Sequence, residues 1–467
     1  MNKEKLFGIK PNFLTVAYSN FIKSAIFLRY SINPEQKILL GSKPSPILKD
    51  LEIFQKGNGV KVENGILVGT VRMGYGHHRM AYALYSWVLA KKVKPYLHDL
   101  LGIESNEAVA IKEIDGLYSQ MSRLSSEWGG IVEWAWGQIT AQGNIGSLYV
   151  STILAESYTN MMSDLPRSMP YISTYPLNGQ IAVEAGFKNV IHLIPDNFPQ
   201  YYLLVPGAMN LVQSPASYHK FIDMGVPKEN LQIAGHWVSE PIVTNVEADS
   251  KARLERIEKQ KPKRLLLAIG GAGAQKNYTI NFIEKIKNKL KNGELHLFIN
   301  AGDHGTLFDT LKEEFEKMGL HYNIVSNWND LLEFCKTNTI DSTTESKLAP
   351  ITIFHYTTYF EAFTTTDYLI RVSDILVTKP SELAFYPIPK LFIRRVGDHE
   401  AASAFRSMEL GEGTTECREP EHAFEMVKLL TEQSSILQRM NECVIRNAKD
   451  GIYDGAKNAV EMAMRSL

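Results

Sequence analysis

The sequence predicts an α/β protein of two doubly wound domains, each a parallel sheet with helices on both faces. Three observations carry this. Short apolar runs alternate with helical segments along most of the chain. Two of those runs, Ile66–Val71 and Arg264–Ile269, lead across at most two residues into glycines and then a helix. With 467 residues the chain is too long for one ordinary core and fits two domains of about 200 residues each.

Taken in order, residues 1–60 read as an N-terminal extension of mixed structure. Within it, Phe13–Tyr30 is apolar but broken by Asn20, Lys23 and Arg29, too short and too polar to span a bilayer. The first domain is expected over 61–245, opening on Ile66–Val71 and a helix starting near His77. Residues 105–165 are rich in helix formers and hold Trp128, Trp134 and Trp136, which suggests a helical insertion. Its tryptophans would form either their own small core or an aromatic surface for an acceptor or a membrane. Strands then follow at Tyr171–Thr174, Val190–Ile194 and Leu211–Gln213, in the βαβ rhythm of a parallel sheet. Near 240–262 the composition shifts: Pro241 ends one unit, and Lys251, Arg253, Glu255 and Lys263 mark a charged connection between domains. The second domain, 246–450, opens on Arg264–Ile269, and Lys336–Pro350 is expected as a polar surface loop. A last helix, within 451–467, could pack on either domain.

Composition narrows the function classes. The hydrophobic fraction of 44% and the charged fraction of 22% are those of a soluble globular protein. A formal net charge of -1, with no basic run interleaved with aromatics, argues against a nucleic-acid partner. Cys335, Cys417 and Cys443 lie far apart without metal-ligand spacing, which fits free thiols in a reducing compartment. The N-terminus lacks the apolar stretch of a secretory signal, so a cytoplasmic location is expected.

Three loops could carry chemistry. In Gly74-Tyr75-Gly76-His77 the glycines let the backbone turn sharply, and the following helix start aims unpaired N–H groups above the turn. A tight turn with an incidental histidine is the competing reading. His78 adds little, because neighbours on a helix diverge by about 100°. The second loop, Gly270-Gly271-Ala272-Gly273-Ala274, could cradle a pyrophosphate through backbone N–H groups. It lacks the Gly-Lys-Ser/Thr of a P-loop and the third glycine of a dinucleotide fingerprint; close strand–helix packing is its alternative. In the third, a strand ends at Thr378-Lys379-Pro380-Ser381-Glu382, placing Glu382 in a first helical turn, where a carboxylate can accept both ribose hydroxyls or simply complement the helix dipole. Gly397-Asp398-His399-Glu400 follows the next strand as a polar cluster.

Together these segments resemble the GT-B glycosyltransferases, in which two Rossmann-like domains face a cleft. The branch resembled is that of the peptidoglycan lipid-intermediate N-acetylglucosaminyltransferase and the diacylglycerol glucosyl- and galactosyltransferases. The likeness rests on Gly74-x-Gly76-His77, on Gly225-Val226-Pro227 with Ala234-Gly235, on Gly270–Gly273, and on Thr378–Glu382 with Gly397–Ala404. It implies transfer of a hexose or N-acetylhexosamine from a UDP-sugar to an acceptor hydroxyl, by inverting, metal-independent displacement without a cofactor. In keeping with this, the chain contains no Asp-x-Asp. By the same resemblance Glu382 would hold the ribose. Gly271, Ala272 and Gly273, Lys379 and Ser381, and Asp398, His399 and Glu400 would hold pyrophosphate and sugar. Gly74, Tyr75, Gly76 and His77 would face the acceptor. His77 is the first candidate general base and Asp196 the second. A lipid acceptor, with peripheral contact at the inner face of a membrane, belongs to the same expectation. Two rivals stand beside it: a UDP-sugar 2-epimerase of the same fold and an inactive nucleotide-binding relative.

Overall fold

The computed structural model describes residues 5–113, 145–269, 275–339, 348–395, 397 and 399–467. Eight strands form the first sheet: β1 (Leu40–Pro44), β2 (Glu52–Lys56), β3 (Gly65–Thr70), β4 (Lys94–Asp99), β5 (Tyr171–Ser173), β6 (Val190–Leu193), β7 (Met209–Val212) and β8 (Leu231–Ile233). Six form the second: β9 (Lys263–Ala268), β10 (Leu295–Gly302), β11 (Tyr322–Val325), β12 (Ile351–His355), β13 (Ile375–Thr378) and β14 (Lys390–Phe392). Their spatial orders are β1-β2-β4-β3-β5-β6-β7-β8 and β11-β12-β10-β9-β13-β14. Apart from the antiparallel β1–β2 pair, the pairings are parallel.

These central strands are continuous apolar runs because both of their faces are covered. In β3, Ile66 and Val68 enter one core while Leu67 enters the opposite one. In β9, Leu265 and Leu267 pack on one face and Leu266 and Ala268 on the other. In each sheet the winding reverses beside the opening strand, between β3 and β5 and between β9 and β13. A crevice opens at that point, beyond the carboxyl ends of the strands. The molecule is therefore two Rossmann-like domains facing a cleft, the GT-B arrangement.

Three segments differ from their sequence-based expectation. The expected extension, of which residues 5–60 are described, is integral to the first domain: β1 and β2 extend its sheet through β2–β4 pairing, and the helix Phe13–Tyr30 packs on the helix Gly146–Ala155. The charged stretch after Pro241 is the helix Val246–Glu258, which packs on the second-domain helix Ser434–Lys449. Lys251 and Glu255 are solvated as a linker's charges would be, but two arginines are partnered inside: Arg253 is buried and donates to the carbonyls of Ser373 and Ile370, and Arg256 pairs with Asp374. The chain crosses between domains earlier, at 234–239, and returns at 450–455. There His236 N–H donates to Ile452 O at 2.7 Å, and Trp237 bridges Asp454. The helix Gly455–Met464 then packs on the first domain, with Ala456, Ala459 and Val460 sharing a core with Leu84 and Val88. Of the expected insertion, 146–155 is helical; Trp128, Trp134 and Trp136 lie outside the described residues.

Candidate active site in the interdomain cleft

A cavity of about 400 Å³ lies where the two crevices meet. From the first domain it is lined by Met73–His77, Met80, Pro195 and Asp196; from the second by Ala268, Ile269, Gln275, Thr279, Lys379, Ser381, Glu382, His399, Glu400 and Ser403. Most of the residues singled out in the sequence thus converge on one space. Gly271, Ala272, Gly273 and Asp398 lie outside the described residues.

The first wall is the turn after β3. Gly74 has φ +70, a left-handed conformation that suits glycine, and it aims the chain into the helix Gly76–Ala90. No acidic side chain sits in that helix's first turn and no side chain caps it. His77 follows immediately. Its Nδ1 lies 2.7 Å from Thr174 O at the end of β5. A carbonyl only accepts, so Nδ1 carries the proton and Nε2 keeps its lone pair. Burial pushes the imidazole down to about 4, and His78 adds to this, while the Thr174 carbonyl and Glu382 oppose it. His77 is thus neutral at physiological pH.

Tyr75 is engaged across the cleft. Its hydroxyl reaches the second domain, donating to Asp303 Oδ1 and accepting from the Asp303 N–H at 3.1 Å. The ring occupies the space beside Gly302, where a Cβ would fall 2.3 Å from the Tyr75 hydroxyl. Tyr359 in turn donates to the Gly74 carbonyl, and Arg72 covers its ring at 4.2 Å. The glycine turn is therefore pinned from the opposite domain. His78 is buried with its ring edge-on to Tyr359, and its Nε2 lies 3.4 Å from Asp99.

The second wall begins where β13 ends. Lys379 pairs with Glu400 Oε1, and the Gly397 N–H reaches Glu400 Oε2 at 3.4 Å. Glu382 opens a single 3-10 turn, Glu382–Phe385, instead of a longer helix. Burial would raise its carboxyl, but Arg79, Lys379 and Ser381 hold it below the usual range. Asp196, just past β6, is shifted upward: burial dominates and Glu400 and Glu382 add to it, against His399 and Lys379. Asn197, beside it, bridges the domains by accepting from Ser214 Oγ at 2.6 Å and donating to Ala402 O at 3.3 Å.

Arg79 was not singled out by sequence. It is buried, donating through Nη1 to Glu382 Oε1 at 2.6 Å and through Nη2 to Thr366 at 3.0 Å. Both partners belong to the other domain and lie 303 and 287 residues away, so no local pattern announces them. The one available signal is an arginine among the apolar positions of an otherwise buried helix.

Residues 226–464 match the family model described as "Domain of unknown function (DUF6938)", more than half of the chain. The chain belongs to that family. Residues 25–222 match a second model, "Domain of unknown function (DUF6937)", so the two models meet close to the crossing between the domains. No curated protein matches. Among solved structures, the chain is similar to a UDP-GlcNAc 2-epimerase from Neisseria meningitidis bound to UDP-GlcNAc (12% identity, 86% of this chain and 100% of that one, TM-score 0.45). It is also similar to MnaA with UDP from S. aureus (11% identity, 85% and 94%, TM-score 0.47). A third is the glycosyltransferase SnogD from Streptomyces nogalater (11% identity, 87% and 100%, TM-score 0.41).

Proposed function

We propose that this cleft binds a UDP-sugar and transfers its hexosyl or N-acetylhexosaminyl group to an acceptor hydroxyl. The observation that carries the reading is His77. It is a neutral imidazole with Nδ1 committed to Thr174 O, at the mouth of a helix, sharing one cavity with Glu382, Lys379 and His399 of the facing domain. In the proposed step, Nε2 accepts the acceptor's hydroxyl proton as its oxygen bonds to the anomeric carbon. The bond from that carbon to the diphosphate oxygen breaks on the opposite face, and UDP leaves with the bonding pair. The leaving diphosphate needs N–H donors and cations, which Gly271–Gly273 and Lys379 would supply without a metal. Its negative charge would also raise His77 from its depressed value toward one better matched to proton transfer. Glu382 would accept the ribose hydroxyls through the oxygen that Arg79 does not hold.

A second reading has its own support. Asp196, Glu382 and Glu400 crowd the same cavity, giving acid–base groups enough to act on a bound sugar without an acceptor, as a 2-epimerase must. One experiment separates the two. UDP release and sugar identity are followed for a panel of UDP-hexoses, with and without a total lipid extract. Acceptor-dependent release is the expected outcome. Conversion at C2 without an acceptor would establish the epimerase, and UDP binding without turnover of any donor would leave an inactive relative.

A further inference from the structure

The helix Phe13–Tyr30 packs on the first domain through Ile22, Ile26 and Phe27. Its opposite side is solvent-facing, where a surface helix ordinarily carries charge. Here that side carries three large apolar side chains, with Asn20 and Ser24 as its polar members. Phe13 is 82% exposed, Phe21 70% and Leu28 84%. At 100° per residue the three fall within an arc of about 80°, with Ala17 and Ser24 between them. The helix contains no acidic residue.

Charge identifies the occupant. The 39 residues before β1 carry Lys3, Lys5, Lys10, Lys23, Arg29 and Lys37 against only Glu4 and Glu35, whereas the whole chain has 50 Lys and Arg against 51 Asp and Glu. Lys23 and Arg29 are engaged by Glu156 and Glu113. Lys5, Lys10 and Lys37 are exposed and flank the helix in sequence. Exposed aromatic and aliphatic side chains within a basic surround complement an anionic lipid surface, where the rings reach the acyl boundary and the ammonium groups meet headgroup phosphates. No helix among the described residues is long and apolar enough to cross a membrane. We propose that Phe13–Tyr30 lies on an anionic membrane surface and docks the first domain there through Phe13, Phe21 and Leu28. This surface is separate from the cleft and does not depend on which reaction the cleft performs.

The test uses the full chain with vesicles of phosphatidylcholine, alone or with about one third phosphatidylglycerol. Co-sedimentation with the anionic vesicles, weakened by salt and about ten-fold weaker for the triple variant Phe13→Ser, Phe21→Ser, Leu28→Ser, is the expected result. These side chains are exposed, so the variant should keep the wild-type melting temperature. UDP binding, measured in parallel, reports on the cleft alone. Wild-type protein left in the supernatant with both vesicle types overturns the proposal, as does a folded triple variant that binds undiminished. A wild-type dimer that the triple variant abolishes, without vesicle binding, would assign the face to a second copy of the chain and overturn it equally.

Discussion

At the scale of single residues, the cavity divides its chemistry between the domains. His77 from the first is held neutral by burial and oriented by one carbonyl, while Glu382 from the second is held ionised by Arg79 and Lys379. The proposed roles predict opposite defects. His77→Ala should lower turnover at least about 100-fold while leaving UDP affinity within about two-fold, as expected for a general base. Glu382→Gln keeps an acceptor for Arg79 but loses the charge that faces the ribose; its dissociation constant for UDP should rise about ten-fold, read by calorimetry. Two variants indistinguishable from wild type in both measurements would remove this site from consideration. The histidine was legible in the sequence because its setting is local: a strand, two glycines and a helix start within a few residues. Arg79 was not, because its meaning lies in Glu382 and Thr366 on another domain.

At the scale of elements, the crossing between domains depends on two glycines in direct apposition. Gly235, at φ +101, and Gly455 approach so closely that a Cβ on Gly455 would fall 2.3 Å from the Gly235 carbonyl oxygen. Backbone cannot yield there as a flexible side chain could. Gly455→Ala should therefore cost about 3 kcal/mol, measured by urea unfolding, whereas Ala at Gly305, where nothing lies within 4 Å, should be neutral or stabilising. The helix Val246–Glu258 teaches a related lesson. Its charged composition suggested a linker, yet Arg253 and Arg256 point inward and find carbonyls and Asp374. A buried arginine and a solvated one are written identically in sequence.

At the scale of the whole molecule, the domains are held by more than the crossing chains. Helix Gly76–Ala90 buries residues His78 through Val88, packing on Tyr359–Ile370 of the second domain and on the returning helix Gly455–Met464. Buried histidines couple stability to pH. Burial lowers His77 and His98 to about 4 and His192 and His236 to about 3. The His236 imidazole, for example, is buried at the crossing with its Nδ1 2.9 Å from Phe385 O. An unfolded chain protonates its histidines near 6.5, so below that pH it binds more protons than the fold does. Stability should therefore fall as pH drops from about 6.5 toward 4, read as a falling melting temperature; a flat profile across that window would contradict the assignment. Asp367 acts in the opposite sense. Burial raises its carboxyl to about 6, against the lowering influence of the Ser239 hydroxyl and of Arg79. The fold then holds a proton that the unfolded chain releases near 3.9, so stability is lost as pH rises through that window and stays lost above it. Asp367→Asn should stabilise the protein by about 2 kcal/mol at pH 7.5 and have little effect near pH 4, measured by denaturant unfolding at both values.

The sequence by itself determined the two parallel sheets, the order of their opening strands and the loops at their carboxyl ends. Apolar periodicity and glycine placement act over a few residues, and those rules are local. Only the tertiary structure decided that β1 and β2 belong to the first sheet, that the last helix returns to the first domain, and that Glu382 meets Arg79 across the cleft. Each of these depends on contacts between segments distant in the chain. Such contacts are selected by shape, burial and charge in three dimensions, which no window of sequence contains.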